Sequence, residues 1–173
     1  MTDLLSKQEL LAPAMPGLTA DLADILEKKG WRMATAESCT GGLIAAACTE
    51  RGGSSHWFER GFVTYSNEAK TELLDVDAAL IARCGAVSEA VARAMVQGAM
   101  AHSRAQAAVA VTGIAGPGGG NADKPVGTVW LAWATPAGVV SEMRRFDGDR
   151  AHVRQGTVRH ALQRLLELLA LVQ

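Results

Sequence analysis

Short β-type segments alternate with helical segments along most of this chain. The segments "WRMATAE" (31–37), "GFVTYS" (61–66) and "AAVAVT" (107–112) are rich in residues that favour strands, and helical segments lie between them. Strands that alternate with helices are typical of α/β proteins, in which helices cover both faces of a mainly parallel sheet. We therefore predict an α/β fold, arranged as a three-layer α/β/α sandwich.

A hairpin is predicted in the C-terminal part of the chain. The stretches "VGTVWLAWAT" and "GVVSEMRRF" are both β-type, and Pro136-Ala137-Gly138 at their junction favours a tight turn. A hairpin makes part of the sheet antiparallel, so we expect a mainly parallel but mixed sheet.

The helical segments have recognisable starts and ends. A helix from Thr19 to Lys29 can be capped by Thr19 and stopped by Gly30, and Ser88 can open a long helix that runs to about Ser103. Residues 41–52 and 67–74 are predicted to be helical as well. The last helix has Asp147 or Asp149 near its start and carries an apolar stripe at helical spacing, formed by Val158, Leu162, Leu165, Leu169 and Val172.

The chain has the size of one ordinary domain, with 173 residues. Residues 1–16, which include Pro13 and Pro16, are predicted to be a loosely attached leader. Residues 17–173 show neither an internal repeat nor a linker, so we expect them to form a single domain.

The composition excludes several classes of protein. The net charge of -1 lacks the basic excess of a general nucleic-acid binder, and no apolar run approaches the roughly 20 residues that span a bilayer. The N-terminus has no basic region ahead of an apolar one, so a signal peptide is not expected. The three cysteines, Cys39, Cys48 and Cys84, show no CxxC spacing and suggest free thiols in a reducing cytosol. We expect a cytoplasmic protein with no nucleic-acid or membrane partner.

Polar and glycine residues directly follow three of the predicted strands. Because ligands of such sheets bind at the carboxyl ends of the strands, these segments are candidates for a site. They are Glu37-Ser38-Cys39-Thr40-Gly41-Gly42, Thr64-Tyr65-Ser66-Asn67 and Thr112-Gly113-Ile114-Ala115-Gly116-Pro117. Two of them lead straight into a helix, whose unpaired N–H groups suit a phosphate or an oxyanion. The alternative is that Ser38 or Thr40 only caps the helix, although Gly41 and Gly42 favour close backbone approach to a ligand.

Lys70 lies in the first turns of the helix at 67–74, where a positive charge opposes the helix dipole. It can be a solvated surface lysine. It can also form a pair with Ser38, in which a neutral amine takes the serine proton and no histidine is needed. The histidines offer no better base, because none has a neighbouring serine and carboxylate; they are His56, His102, His152 and His160.

The glycine-rich stretch 113–125 is predicted to be a loop that can fold over a ligand. It lacks the Gly-Lys-Ser/Thr ending of a P-loop and the third glycine of a dinucleotide site, where Asp123 stands. Arg150 and Arg154 lie four residues apart on one face of the last helix, where they can bind a phosphate or simply end a solvated helix. No cluster of His, Asp and Glu has metal-ligand spacing, so we expect neither a metal nor a cofactor.

Several of these stretches occur together in one known family. "TAESCTGGLIA", "WFERGFVTYSNEAK", "GAVSEAVA", "TGIAGPGGG", "KPVGTVWLAWAT" and "FDGDRAHVR" resemble, in order and spacing, the C-terminal domain family of the competence/damage-inducible protein CinA. The resemblance covers about residues 17 to 170 and implies a three-layer α/β/α fold. For members that stand alone it implies hydrolysis of the carboxamide of nicotinamide mononucleotide to nicotinic acid mononucleotide and ammonia, in pyridine-nucleotide salvage. Longer members carry a molybdopterin-binding-like domain in front, which we expect to be absent here.

The resemblance also implies roles for individual residues. The family's serine matches Ser38, its tyrosine Tyr65, its lysine Lys70 and the threonine of its TG motif Thr112. Ser38 is then expected to be the nucleophile, and Lys70, with Tyr65, to handle the proton that passes to the leaving ammonia. Cys39 is expected to pack behind Ser38, because neighbours on an extended chain point to opposite sides.

The residues around this pair are expected to bind the substrate. The start of the following helix, with Thr40, Gly41 and Gly42, is expected to supply donors to the oxyanion. Further substrate contacts are expected from Asn67, Thr112, Gly113 and Gly116. The glycine loop and one or both of Arg150 and Arg154 are expected to hold the nucleotide phosphate.

The expected partners are the small-molecule substrate, nicotinamide mononucleotide, and a second copy of the chain. The apolar side chains of Trp130 and Trp133 on the hairpin permit a homodimer. Two other functions stay open: a nucleotide-binding sensor or interaction module without turnover, and an amidase for a different amide.

Overall fold

The computed structural model of the protein describes residues 15–172. Within them the chain forms six α-helices and five strands. In chain order these are α1 (Met15–Lys29), β1 (Met33–Glu37), α2 (Leu43–Thr49), β2 (Phe58–Val63), α3 (Asn67–Leu74), α4 (Ala78–Cys84), α5 (Glu89–Ala101), β3 (Ala107–Gly113), β4 (Thr128–Thr135), β5 (Gly138–Arg145) and α6 (Arg150–Leu171), with a short 3₁₀ helix (Ser54–His56) before β2. None of these six helices combines the length and apolar character that a bilayer crossing requires.

The five strands form one mixed sheet in the order β2-β1-β3-β4-β5. Strand β1 pairs in parallel with β2 and with β3, whereas β3–β4 and β4–β5 are antiparallel pairs. The predicted hairpin is therefore present as β4 and β5. In the parallel part of the sheet, Glu37 at the end of β1 is in register with Val63 of β2 and Val111 of β3. The carboxyl ends of these three strands consequently meet at one edge.

The two faces of the sheet carry side chains of different size, and each face is covered by three helices. The face against α1, α2 and α6 presents large apolar side chains, among them Met33, Val109, Val111, Val129, Leu131 and Trp133. The face against α3, α4 and α5 presents alanines: Ala34, Ala36, Ala108, Ala110, Ala132 and Ala134. The predicted α/β fold with three layers is confirmed.

The predicted start of the first helix is wrong. Helix α1 begins at Met15, and Thr19, predicted to cap it, lies inside the helix, buried, with its hydroxyl donating to the Met15 and Pro16 carbonyls. Pro16 fits there because a proline is tolerated in the first turn of a helix. Of the predicted leader, residues 1–14 lie outside the described residues, and Met15 and Pro16 belong to α1.

Two further elements differ from the sequence-based expectation. The helix predicted from residue 41 begins only at Leu43, because Gly41 and Gly42 adopt left-handed backbone angles, with φ of 58° and 98°. Such angles suit a glycine turn and not the body of a helix. Helix α4 was not predicted; Asp77 caps it by accepting a hydrogen bond from the Ala79 N–H at 2.9 Å.

Trp133 is not available for a dimer contact. Its side chain is fully buried against α6, and its indole Nε1 donates to the Ala161 carbonyl at 2.8 Å. The expectation that Trp133 contributes to a dimer contact is therefore wrong. Trp130 lies on the other face of the sheet and is only partly buried. The homodimer itself stays a prediction.

Gly98 lets α5 approach the end of α3 closely, so its substitution should be costly. A Cβ added at Gly98 would overlap the backbone carbonyl of Leu74. We expect Gly98→Ala to lower the free energy of unfolding by about 1–3 kcal/mol, the usual cost of overpacking. Urea unfolding followed by circular dichroism measures this change.

The matched control is Gly17→Ala, also in a helix, where an added Cβ meets nothing within 4 Å. Its stability should be unchanged or raised by up to about 1 kcal/mol, because alanine is the better helix former. Equal unfolding midpoints for the two variants would contradict the close contact between α5 and Leu74.

Candidate active site

The carboxyl ends of β1, β2 and β3 surround a cavity of about 210 Å³. Backbone hydrogen bonds hold the three ends together: the Ser38 N–H donates to the Val111 carbonyl at 3.1 Å, and the Thr64 N–H donates to the Glu37 carbonyl at 2.8 Å. The cavity is lined by Ser38, Cys39, Tyr65, Asn67, Lys70, Ala86, Val87, Thr112, Gly113, Ala115 and Arg150. All three segments that the sequence marked as candidates therefore contribute to it.

Ser38 and Lys70 are in direct contact inside this cavity. The Lys70 Nζ lies 3.1 Å from Ser38 Oγ and 2.9 Å from the Thr64 carbonyl oxygen. The carbonyl oxygens of Tyr65 and Ser66 lie at the longer distance of 3.4 Å. Lys70 is on the first turns of α3, which Ser66 caps, and only 1% of its surface is exposed. It is therefore not a solvated surface lysine.

The environment of Lys70 favours the neutral amine. Burial lowers the pKa of the Lys70 amine below its usual range, because the ammonium form loses its hydration. A neutral amine has two N–H donors and one lone pair. The Thr64 carbonyl and one more distant carbonyl can take the two donors, which leaves the lone pair for the Ser38 hydroxyl. This arrangement can accept the serine proton.

Cys39 is a poor competitor of Ser38. It is buried, it belongs to the apolar cluster of the α1, α2 and α6 face, and it reaches the cavity only as part of the wall. Burial, as the main cause, raises the pKa of the Cys39 thiol to about 12. Since the thiolate is the nucleophilic form of cysteine, this thiol is unreactive near neutral pH.

Glu37 accepts hydrogen bonds from groups at the start of α2 that the sequence predicted to be free donors. Its side chain is fully buried beneath the start of α2. Its carboxylate accepts hydrogen bonds from the Thr40 hydroxyl at 2.6 Å, from the Gly42 N–H at 3.1 Å and from the N–H groups of Ile44 and Ala45 at 3.0 and 2.8 Å. The expectation that Thr40, through its hydroxyl, and Gly42 offer donors to an oxyanion is therefore wrong. The Gly41 N–H is also engaged, with the Ser38 carbonyl at 3.0 Å.

The donors that are left in this turn belong to the two residues after Ser38. Among the described residues, neither the Cys39 N–H nor the Thr40 N–H donates to a backbone carbonyl, and of these two residues Cys39 is the one that lines the cavity. In hydrolases that place a serine between a strand and a helix, the N–H after the nucleophile serves the oxyanion. The Cys39 N–H is the group that can do so here.

Tyr65, Arg150 and Gly116 close the rim of the cavity. Arg150 donates through Nη2 to the Tyr65 hydroxyl at 2.9 Å and through Nη1 to the Gly116 carbonyl at 3.0 Å. Tyr65 is 60% exposed, and its hydroxyl bonds to Arg150 and neither to Ser38 nor to Lys70. The geometry thus gives the Tyr65 hydroxyl a place at the entrance, away from the reacting pair.

Arg154 lies behind the site and is not part of the cavity lining. Its Nη2 donates to the Thr40 carbonyl at 2.9 Å, so it holds the turn after Ser38 from helix α6. The Arg150 guanidinium, by contrast, reaches the cavity. Of the two arginines predicted for a phosphate, only Arg150 is placed to meet one.

The remaining predicted substrate contacts fall into two groups. Asn67, Thr112 and Gly113 line the cavity, whereas Gly116 takes part only through its carbonyl at the rim. The Thr112 hydroxyl donates to the Ala86 carbonyl at 2.8 Å, so it can offer a substrate only its lone pairs. In residues 15–172 no three side chains of His, Cys, Asp or Glu are grouped so that they could hold a metal ion.

A larger cavity of about 410 Å³ lies between α3 and α4. It shares Asn67 with the first cavity, but its charged side chains are the carboxylates of Glu68 and Glu72. It contains no nucleophile paired with a base, and its charge repels an anionic ligand. The smaller cavity with Ser38 and Lys70 is therefore the candidate active site.

Comparison with known proteins identifies the family. Residues 16–169 match the CinA C-terminal domain. A protein of Pseudomonas putida named nicotinamide-nucleotide amidohydrolase PncC is 55% identical over 151 residues, which cover 87% of this chain and 94% of that protein. The protein of the same name from Escherichia coli K12 is 49% identical over 149 residues, 86% of this chain and 90% of that one. The crystal structure of the competence/damage inducible protein CihA from Agrobacterium tumefaciens has a TM-score of 0.87 at 48% identity and covers 91% of this chain and 98% of that one. This chain belongs to the CinA C-terminal domain family.

Proposed function

We propose that this protein hydrolyses the carboxamide of nicotinamide mononucleotide to nicotinic acid mononucleotide and ammonia, as a step of pyridine-nucleotide salvage. The names of the relatives from Pseudomonas putida and Escherichia coli support this substrate. The observation that carries the proposal is the contact of 3.1 Å between Ser38 Oγ and the buried Lys70 Nζ, at the sheet edge where α/β proteins bind ligands.

The first half of the reaction forms an ester between the substrate and Ser38. The neutral Lys70 amine takes the Ser38 proton while Oγ attacks the carboxamide carbon, and the carbonyl oxygen becomes an oxyanion for which the Cys39 N–H is the nearest free backbone donor in the turn. Lys70, now an ammonium held by the Thr64 carbonyl, gives this proton to the amide nitrogen. The carbon–nitrogen bond breaks, and ammonia leaves.

The second half returns Ser38 to its starting state. Lys70 is neutral again after ammonia has left, so it can take a proton from a water molecule that attacks the ester carbon. The tetrahedral intermediate collapses, Ser38 Oγ regains its proton from Lys70, and the carboxylic acid product is released. One base thus serves both halves, because it alternates between its two protonation states.

The size of the cavity supports one placement of the nucleotide. At about 210 Å³ the cavity is smaller than the roughly 300–1,000 Å³ of common ligand sites. We propose that it takes the nicotinamide ring, whereas the ribose and phosphate lie at the rim beside Arg150. The guanidinium suits a phosphate because it presents several donors in a planar fork.

The direct test is ammonia release by the purified protein from nicotinamide mononucleotide, with Ser38→Ala as the blank. Binding of the nucleotide without ammonia release would favour the sensor or interaction module. Faster release from another amide, in a series that includes free nicotinamide, would favour the amidase of different specificity.

The phosphate should matter for turnover. We expect kcat/KM for nicotinamide riboside, which lacks the phosphate, to be at least about tenfold lower than for the mononucleotide, since a charge-assisted contact is worth about 1.5–3 kcal/mol. Arg150→Ala should lower kcat/KM for the mononucleotide and change that for the riboside much less. Steady-state kinetics on both compounds measure this difference.

Arg51→Ala is the control, because Arg51 is exposed beyond the other end of α2, away from the cavity. It should leave both substrates unaffected. Equal losses on mononucleotide and riboside in Arg150→Ala would contradict a phosphate contact and point to the link between Arg150 and Tyr65 instead.

A further inference from the structure

Glu37 is a fully buried carboxylate that meets no lysine or arginine partner among the ion pairs of residues 15–172. Four donors lie within 3.1 Å of its two oxygens, and the Thr35 hydroxyl is a fifth at 3.4 Å. Three of the close donors reach Oε2, and Oε1 accepts from the Ala45 N–H and, at the longer distance, from the Thr35 hydroxyl, so both oxygens are engaged. Every one of these contacts is with a hydrogen-bond donor.

All four close donors come from the residues that carry the chain from Ser38 into α2. The turn formed by residues 38–42 is fixed on its other sides as well. The Ser38 N–H is bonded to β3, and the Thr40 carbonyl is bonded to Arg154 of α6. Glu37 is thus the internal anchor of a segment whose outer contacts are made by two other elements.

Glu37 also decides which backbone donors of this turn are free. It takes the N–H groups of Gly42, Ile44 and Ala45, so an anion cannot bind at the start of α2. The Cys39 N–H, which precedes these and belongs to a residue that lines the cavity, donates to no backbone carbonyl within residues 15–172. The carboxylate therefore leaves for an oxyanion only donors that lie next to Ser38.

We propose that Glu37 is a positioning residue for the reaction: its carboxylate fixes the 38–42 turn so that Ser38 Oγ stays in contact with Lys70 Nζ. This inference rests on the proposed function of Ser38 and Lys70. Glu37 touches neither the substrate nor the reacting atoms.

The test is Glu37→Gln, which keeps the shape of the side chain but turns one acceptor oxygen into an NH₂ group facing donors. We expect kcat for nicotinamide mononucleotide to fall about 100-fold, the loss that a displacement of about 1 Å can cause. The KM should change less than about threefold, because Arg150 and the cavity walls outside the 38–42 turn are untouched. The thermal unfolding transition should stay cooperative.

Thr40→Val is the second variant and decides the matter if Glu37→Gln does not fold. It removes the shortest of the hydrogen bonds to Glu37, at 2.6 Å, and leaves the charge and the backbone bonds in place. We expect a fall in kcat of about tenfold with KM again preserved. The control is Thr49→Val at the far end of α2, which removes a hydroxyl bond to the Ala45 carbonyl and should keep the wild-type kcat.

The outcomes separate this inference from the proposed function. Wild-type kcat in Glu37→Gln, or in Thr40→Val if the first variant is unfolded, overturns the positioning role while the amidohydrolase stands. The fraction of folded protein is measured as the number of nucleotide-binding sites per chain. If the fall in kcat is fully explained by a fall in this fraction, the positioning role is overturned as well, because Glu37 then only stabilises the fold. Wild-type protein that releases no ammonia overturns both.

Discussion

Ser38→Ala is expected to abolish ammonia release from nicotinamide mononucleotide, with a fall in kcat of at least about 10³–10⁴-fold, while the protein stays folded. The loss is large because the attacking oxygen is removed and the cavity holds no substitute: the Cys39 thiol is buried and neutral near pH 7. The fold should persist, because within residues 15–172 the Ser38 side chain makes a single hydrogen bond, with Lys70. Its loss costs about 1 kcal/mol.

Cys39→Ala is the matched control, since it changes the next residue in the same turn by a similar volume. We expect it to keep most of the wild-type kcat, with a small loss of stability from the buried thiol. A discontinuous ammonia assay over several hours would detect the residual rate of Ser38→Ala. Substantial turnover by Ser38→Ala together with an inactive Cys39→Ala would reverse the assignment of the nucleophile.

The place of the site could be predicted from the sequence because it depends on topology. The β-type pattern marks β1, β2 and β3, and parallel strands bring Ser38, Thr64 and Thr112 to one edge. The position of Lys70 near this edge can be predicted in the same way, since α3 starts shortly after β2 and its first turns stay near that edge. The sequence alone could not decide between a surface lysine and a partner of Ser38, because this depends on which side of α3 is buried.

The prediction that the turn after Ser38 offers free donors is wrong, because the sequence does not show which N–H groups at a helix start are already hydrogen-bonded. Its N–H groups are unpaired only until a side chain caps them, and here the acceptor is Glu37, five residues before Gly42. An acidic residue just ahead of a glycine turn and a helix is a signal that could have suggested it. The contact of Arg154 with Thr40 joins residues 114 positions apart and leaves no such trace.

The error at Trp133 has a different cause. Strand β4 is apolar on both sides, since it lies inside the sheet with helices on each face. Alternation along the strand is then lost, so the sequence cannot show which tryptophan is covered. Trp133 is buried because it points to the face with large side chains, against α6.

The protonation of Lys70 should set the pH dependence of the reaction. Below its pKa the amine is an ammonium and cannot accept the Ser38 proton, so kcat/KM should rise with pH and reach a plateau above that pKa. Because burial lowers this pKa, the acid limb should lie below the value of about 10.4 that is usual for a free lysine. A profile of kcat/KM from pH 6 to 10.5 measures it.

The same shift has a consequence for stability. In the folded protein Lys70 binds its proton less tightly than in the unfolded chain, so the wild type gains stability as the pH rises toward the unfolded pKa. Lys70→Met has no such dependence, and its stability relative to the wild type should therefore decrease as the pH rises. Thermal melts of both proteins at pH 7 and pH 10 measure this change.

Lys70→Arg is expected to be almost inactive, with kcat lower by about 10²–10⁴-fold, because a guanidinium keeps the charge but cannot give up its proton. Lys70→Met should be equally poor, which separates the loss of a base from the loss of a charge.

If Lys70 acts only as a fixed charge for the substrate phosphate, Lys70→Arg would keep its kcat and change mainly KM. Its burial argues against that role, since the contacts of the amine are with Ser38 and with the carbonyl oxygens of residues 64–66. Measuring kcat and KM separately for Lys70→Arg decides between the two, and a preserved kcat would exclude Lys70 as the base.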